Sequence, residues 1–279
     1  MTETMETSFG NPSSLHSHGR QAKKILRDAR ECVATCLKTS SQQIIFTSGG
    51  TESNNTVIKG YCLKHRQQGK HIITTAIEHH AVLEPIEHLV QEYGFEVTII
   101  QPVDQKIRPE DIRAALRPDT ILVSTMYANN ETGDLLPIKD ISDLLKDHPA
   151  AFHVDAVQAV GKLAVAPEEL GVDFLTASAH KFHGPKGVGI LYARKPDFFN
   201  LLHGGDQEDK RRASTENLIS IAGMAQALKE ATDQLDANYQ YIQSLSERIL
   251  TGLEDLDFYL NSTDSKLPHV LNIGFPGIS

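Results

Sequence analysis

The chain has 279 residues, 40% of them hydrophobic, which is enough for one large domain and part of a second. Lys and Arg number 27 against 36 Asp and Glu, for a formal net charge of -9, so no broad basic stripe is on offer to a phosphate backbone and no nucleic-acid partner is expected. No apolar run approaches the roughly 20 residues of a membrane helix, and MTETMETSFG has neither a basic start nor an apolar signal core, so a cytoplasmic protein without a membrane partner is the expectation.

From Arg20 to Leu37, apolar residues recur at three- and four-residue steps (Ala22, Ile25, Leu26, Ala29, Val33, Leu37), predicting an amphipathic helix. Cys32 and Cys36 lie on it; with Cys62 they are too few and too odd in number for a disulfide framework and are expected as buried or half-buried thiols. IIFT (Ile44 to Thr47) then predicts a strand, SGGTES a glycine turn and the following stretch a helix. HIITT, the helical AVLEPIEHLVQEYG and the strand FEVTII repeat the alternation. It continues through DIRAAL, TILVSTM, ISDLLKD and AFHVD. Strands alternating with helices predict a mostly parallel α/β sheet covered on both faces, with ligands at the carboxyl ends of its strands. Beyond ILYAR and the polar HGGDQEDKRRASTEN, one long helix is expected from about Leu218 to Leu256, then two strands in FYLNS and HVLNIGF. A large domain over 1–225, including the first helix up to residue 38, and an incomplete small domain over 226–279 are the expected division.

Five stretches carry candidate chemistry. In SGGTESNN, Gly50 and Thr51 open a helix whose free N–H groups could cradle a phosphate, or could form an ordinary turn. Asp155 ends the AFHVD strand, placed to pair with a cationic ring nitrogen or simply to cap a helix. Lys181 follows the small residues Thr176, Ala177, Ser178 and Ala179 and stands between His180 and His183. A desolvated lysine is the nucleophile that Schiff-base chemistry needs; a loop lysine or a metal site are the alternatives, and no acidic or thiolate ligand lies nearby for a metal. His79, in the pair His79–His80, could stack on a planar cofactor or sit at an ordinary helix start. The amides of ANNETG could bond a ligand oxygen or build an Asx turn. All five fall at predicted strand ends, and together they compose a pyridoxal 5'-phosphate (PLP) site: phosphate cradle, ring stacker, partners for the ring oxygen and ring nitrogen, and a covalent lysine.

FGNPSSLHSHGR, FTSGGTESNN, EHHAV, ANNETG, HVDAVQAVGK, SAHKFHGPKGVG and HGG followed by TEN resemble the cysteine desulfurases of the NifS/IscS type, in the class V aminotransferase family. The match runs in order from about Phe9 to Pro276. It implies the PLP-dependent fold type I large domain, a seven-stranded sheet between helices, with the start of a small C-terminal α+β domain. It also implies removal of sulfur from L-cysteine to leave L-alanine, with sulfur passed to an acceptor or scaffold protein for iron–sulfur cluster or thio-cofactor assembly. By position, Lys181 would hold the cofactor covalently and act as base, and Asp155 would pair with the ring nitrogen. Gln158 and Asn130 would lie near the ring oxygen, and His79 would stack on the ring and shuttle protons. Gly50, Thr51, Ser178 and His180 would hold the phosphate, and Thr215 would reach the phosphate of the neighbouring subunit in a homodimer.

Three departures qualify the resemblance. The family's opening segment has no counterpart before Phe9. Its nucleophilic cysteine and carboxylate-binding arginine fall beyond Ser279, so impaired sulfur transfer is expected, with a non-catalytic dimerisation module or a related PLP lyase or transaminase as the alternatives. In GGDQEDKRRAST, Asp206, Lys210 and Ser214 stand where the family has glycines and Asp209 where it has arginine. Acid near a phosphate and the loss of residues suited to positive φ predict an altered loop.

Overall fold

A computed structural model describes residues 1–277. The apolar runs read as strands are strands: β1 (Ile44–Thr47), β2 (His71–Thr75), β3 (Glu96–Ile100), β4 (Thr120–Met126), β5 (Ala151–Asp155), β6 (Phe174–Ser178) and β7 (Gly189–Ala193). They form one sheet in the order β1-β7-β6-β5-β4-β2-β3. β7 alone runs antiparallel to its neighbours, β1 and β6; the other pairings are parallel. Every residue of β2, β4, β5, β6 and β7 is buried, as expected of strands covered on both faces, whereas β3, at the edge, is partly exposed.

The helices follow in chain order. α1 (Thr2–Thr7) opens the chain, a short element that no apolar period announces. α2 (Ser17–Cys36) starts three residues before the expected point because the Nδ1 of His16 accepts the Gly19 N–H and caps it; Ala22, Leu26, Ala29 and Val33 are its buried stripe. α3 (Gly50–Asn55) passes through a π-helical turn (Thr56–Tyr61) into α4 (Cys62–His65). α5 (His80–Tyr93), α6 (Pro109–Ala115), α7 (Ile138–Leu145) and α8 (Pro167–Leu170) pack around the sheet, and α9 (Gln207–Lys210) is a short turn in the polar loop.

The expected single helix from Leu218 to Leu256 is two. α10 (Leu218–Asp233) ends at Gln234, whose φ of -108 and ψ of 13 leave the helical region, and α11 (Leu235–Gly252) begins beside it. No glycine or proline marks this break, so the sequence carries no stop signal there. α10 packs along α2, and the expected boundary at 225 falls inside it, with Ala225 and Leu228 both buried in the same core. The two C-terminal strands shrink to a two-residue antiparallel pair, β8 (Tyr259–Leu260) and β9 (Ile273–Gly274).

Candidate active site

The carboxyl ends of β2, β4, β5 and β6 and the start of α3 surround a cavity of about 280 Å³. It is lined by nine of the ten residues expected to act: Gly50, Thr51, His79, Asn130, Asp155, Gln158, Ser178, His180 and Lys181. Thr215 is the exception; it is exposed and outside the cavity. A larger, open groove of about 840 Å³ lies elsewhere, at Gln43, Lys139, Phe152 and Arg194, and includes none of these residues.

The approach of β1 to β7 shapes the cradle. Gly49 takes φ 153, and a Cβ on Gly189 would lie 2.6 Å from the Gly49 Cα, so two glycines allow the β1–α3 turn to press against the start of β7. Behind this turn, Glu52 accepts the Ser48 N–H (2.7 Å) and pairs with Arg212 at 2.8 and 3.1 Å. Burial works to raise the Glu52 carboxyl, yet Arg212 and Ser48 hold it below its ordinary value. Glu52, which follows the cradle residues in the chain, is thus tied to a cation.

Asp155 is buried. Its Oδ2 accepts from the Asn54 amide at 2.7 Å and its Oδ1 from the Val157 N–H at 3.0 Å. Burial pushes its carboxyl above the ordinary range, while these two neutral donors and the field of His79 pull it down. No cation pairs with it among the described residues. The segment after β5 is a succession of turns, so Asp155 caps a turn and not a helix.

His79 is the N-cap of α5, its Nδ1 accepting the Ala81 N–H at 3.0 Å; a neutral ring therefore carries its proton on Nε2. His80 faces Glu84 at 3.6 Å, away from the cavity lining. ANNETG divides its two readings between its asparagines. Asn129 Oδ1 accepts the N–H groups of Glu131 and Thr132 and builds the turn, which leaves Asn130 on the cavity wall.

Lys181 lies in a tight helical turn (Ala179–Phe182) directly after β6, half-buried, while Ala177, Ala179 and Phe182 beneath it are fully buried. Ser178 Oγ and His180 Nδ1 are 3.0 Å apart on the same wall, and His183 does not line it. The sequence reading missed Asn54, although it lies in the quoted SGGTESNN one helical turn beyond Gly50; its partnership with Asp155 spans 101 positions of chain. Glu78 was missed too. Fully buried, it accepts the Met126 N–H (2.8 Å) and the Thr75 hydroxyl (2.6 Å) on one oxygen, and burial pushes its carboxyl up to about 8.

The altered loop is held firmly. Glu208 is buried, grips Arg30 with both oxygens at 2.7 and 2.6 Å and accepts the Phe46 N–H of β1 at 3.0 Å. Lys210 and Ser214, expected to lose access to positive φ, adopt 65° and 89°, so the glycine-like path survives as strain. Asp206 and Asp209 are exposed and outside the cavity lining, opposite Lys210 (3.8 Å) and Arg211 (3.7 Å).

A family model described as aminotransferase class-V matches residues 1–279. The cysteine desulfurase IscS of Dictyoglomus turgidum is 46% identical over 99% of this chain and 71% of its own length. An IscS cysteine desulfurase of Clostridium botulinum is 43% identical over 97% of this chain and 70% of its own. Among solved structures, a NifS-like protein superposes with a TM-score of 0.95 at 38% identity, covering 99% of this chain and 77% of that one. SspA in complex with cysteine superposes at 0.87 and 33% identity, covering 99% and 80%.

Proposed function

Because the chain belongs to the class-V aminotransferase family and to its cysteine desulfurases, we propose that its cavity holds PLP and takes L-cysteine, removing the sulfur and leaving L-alanine. The observation that carries this reading is Asp155: a buried carboxylate held only by neutral donors on the wall that also bears Lys181. A cationic ring nitrogen supplies the missing counter-charge, and no uncharged ligand would. Bound there, PLP supplies an electron sink that weakens the bonds at the α-carbon of an amino acid.

The protein's own groups then divide the work. Asp155 keeps the proton on the ring nitrogen. Lys181 Nζ would hold the cofactor covalently and would serve as the base for the α-proton. His79, fixed by the Ala81 N–H, would lie against the ring and offers Nε2 for proton transfer. Asn130 and Gln158 address the ring oxygen, and Gly50, Thr51, Ser178 and His180 address the phosphate. Thr215, exposed on the loop, reaches the phosphate of a second copy in a homodimer.

The sulfur acceptor is a thiol other than the three in this sequence. Cys32 and Cys36 lie on α2 outside the cavity, and Cys62 is fully buried, its thiol pushed up by burial. No helix among the described residues is long and apolar enough to cross a membrane, and three free thiols suit the reducing cytoplasm, where we place the protein.

Purified protein given PLP is expected to show a visible absorption band that borohydride fixes covalently to Lys181, and Lys181→Ala is expected to stay colourless. L-cysteine with an added thiol is then expected to yield alanine and sulfide in equal amounts. A folded wild type that never colours would overturn the reading.

A further inference from the structure

We propose that Lys162 is a positioning residue that turns the amide of Gln158 so that its N–H end faces the cavity. The inference rests on the PLP reading of that cavity and adds a residue to it.

Lys162 Nζ donates to Gln158 Oε1 at 3.1 Å. An ammonium has three donors and no acceptor, so the amide can meet it only with its oxygen. Which end of Gln158 points where is therefore dictated by chemistry. Gln158 lines the cavity. With Oε1 occupied, the remaining polar atom is Nε2, which has no partner among the described residues. At this point of the wall the cavity presents a donor, complementary to an anionic oxygen such as the phenolate of PLP. The reversed amide would set its own oxygen against that charge.

The backbone places Lys162 for this role. Gly161 takes φ 78, and a Cβ there would lie 2.5 Å from the Phe182 Cβ, so the turn after β5 presses against the turn that bears Lys181. Lys162 is half-buried there and has no carboxylate partner among the described residues. The titratable groups that face it are Lys181 and His180 of the neighbouring turn and His269 of the C-terminal segment, none of them acidic. A lysine in such company is not there to balance a carboxylate. Burial, then the charge of Lys181, push its ammonium down to about 8. Above that pH a neutral amine can also accept a hydrogen bond, and its hold on the amide's orientation relaxes.

The test uses the PLP-loaded full chain and reads cofactor affinity and the pH at which the visible band changes. Lys162→Met is expected to weaken PLP binding about three- to tenfold, the worth of one hydrogen bond, and to move the spectral transition to higher pH, because the ring oxygen loses its donor. Lys162→Arg, still a donor-only cation, is expected to stay within about twofold of wild type. Lys162→Gln keeps a neutral donor without forcing the amide and is expected to fall between them.

Gln158→Leu separates orientation from charge. If Lys162 acts through Gln158, adding Lys162→Met to Gln158→Leu changes nothing further; if the two effects add, the lysine acts by its field alone and the inference is overturned. A Lys162→Met protein indistinguishable from a coloured wild type also overturns it. A wild type that never colours defeats the reading of the site instead.

Discussion

Two buried carboxyls near the site give opposite lessons about charge. Asp155 has its carboxyl raised by burial, so without a ligand it costs the fold increasingly as pH rises through and above the ordinary carboxylate range. Asp155→Asn is therefore expected to leave the ligand-free protein at least as stable at neutral pH, measured by thermal melting. The same variant is expected to bind PLP about 10- to 100-fold more weakly, since it loses a charge-assisted bond. Glu78, raised from 4.5 to about 8, binds a proton in the folded state that the unfolded chain has given up. Its contribution is fully present below about pH 4.5 and is lost as pH rises toward 8. Melting curves of wild type and Glu78→Gln across that window are expected to diverge in the variant's favour as pH rises, and parallel curves would count against a protonated Glu78. At this scale the sequence displayed Lys181, Asp155 and His79, because each lies at or just beyond the end of a readable strand. Asn54, Glu78 and Lys162 were hidden because their meaning lies in a partner, and in the first two cases that partner is far along the chain.

Elements were legible where burial enforces a period. β2, β4, β5 and β6 are short, fully buried runs rich in apolar and β-branched residues, and α2 has its stripe. The break at Gln234 was not legible as a stop, since neither glycine nor proline marks it and the weak helix formers around it do not by themselves end a helix that packs along α2. The loop around α9 is a subtler case. Its residues argued against a glycine-like path, but Arg30 on α2 and the Phe46 amide on β1 hold Glu208 from both sides and the backbone follows. Arg30 also lies over the Phe46 ring, 4.4 Å from its centroid, which locks the same corner. The cost is left in the backbone: Ser214→Gly, at φ 89, is expected to raise stability by about 1 kcal/mol in urea unfolding. A loss of stability would mean that the Ser214 hydroxyl makes a contact worth more than the strain.

At the scale of the whole molecule, the segment after β8 is bound back onto the loop that follows β4. Asp134 Oδ1 accepts both the N–H and the hydroxyl of Thr263, at 2.6 and 2.8 Å, while Leu135 and Leu267 exchange backbone bonds with Ser265 and Gly133. Val270 packs on Gly133, and the adjacent His269 lies within the field of Lys162. Asp134→Ala is expected to speed hydrogen exchange at the Thr263 amide about tenfold or more while β4 and β5 keep their protection. Equal protection in both proteins would place the strap's hold in the backbone bonds alone. The sequence by itself determined the alternation of strands and helices and the sheet edge on which chemistry gathers, because periodicity and strand ends are local properties, and its resemblance to the NifS/IscS desulfurases pointed to nine of the residues that line the cavity. Only the tertiary structure decided that Asp155 meets Asn54, that Glu208 rescues an unfavourable loop and that Lys162 commands the amide of Gln158. Burial and hydrogen-bond geometry exist between elements, and no window of sequence contains both partners together with the space between them.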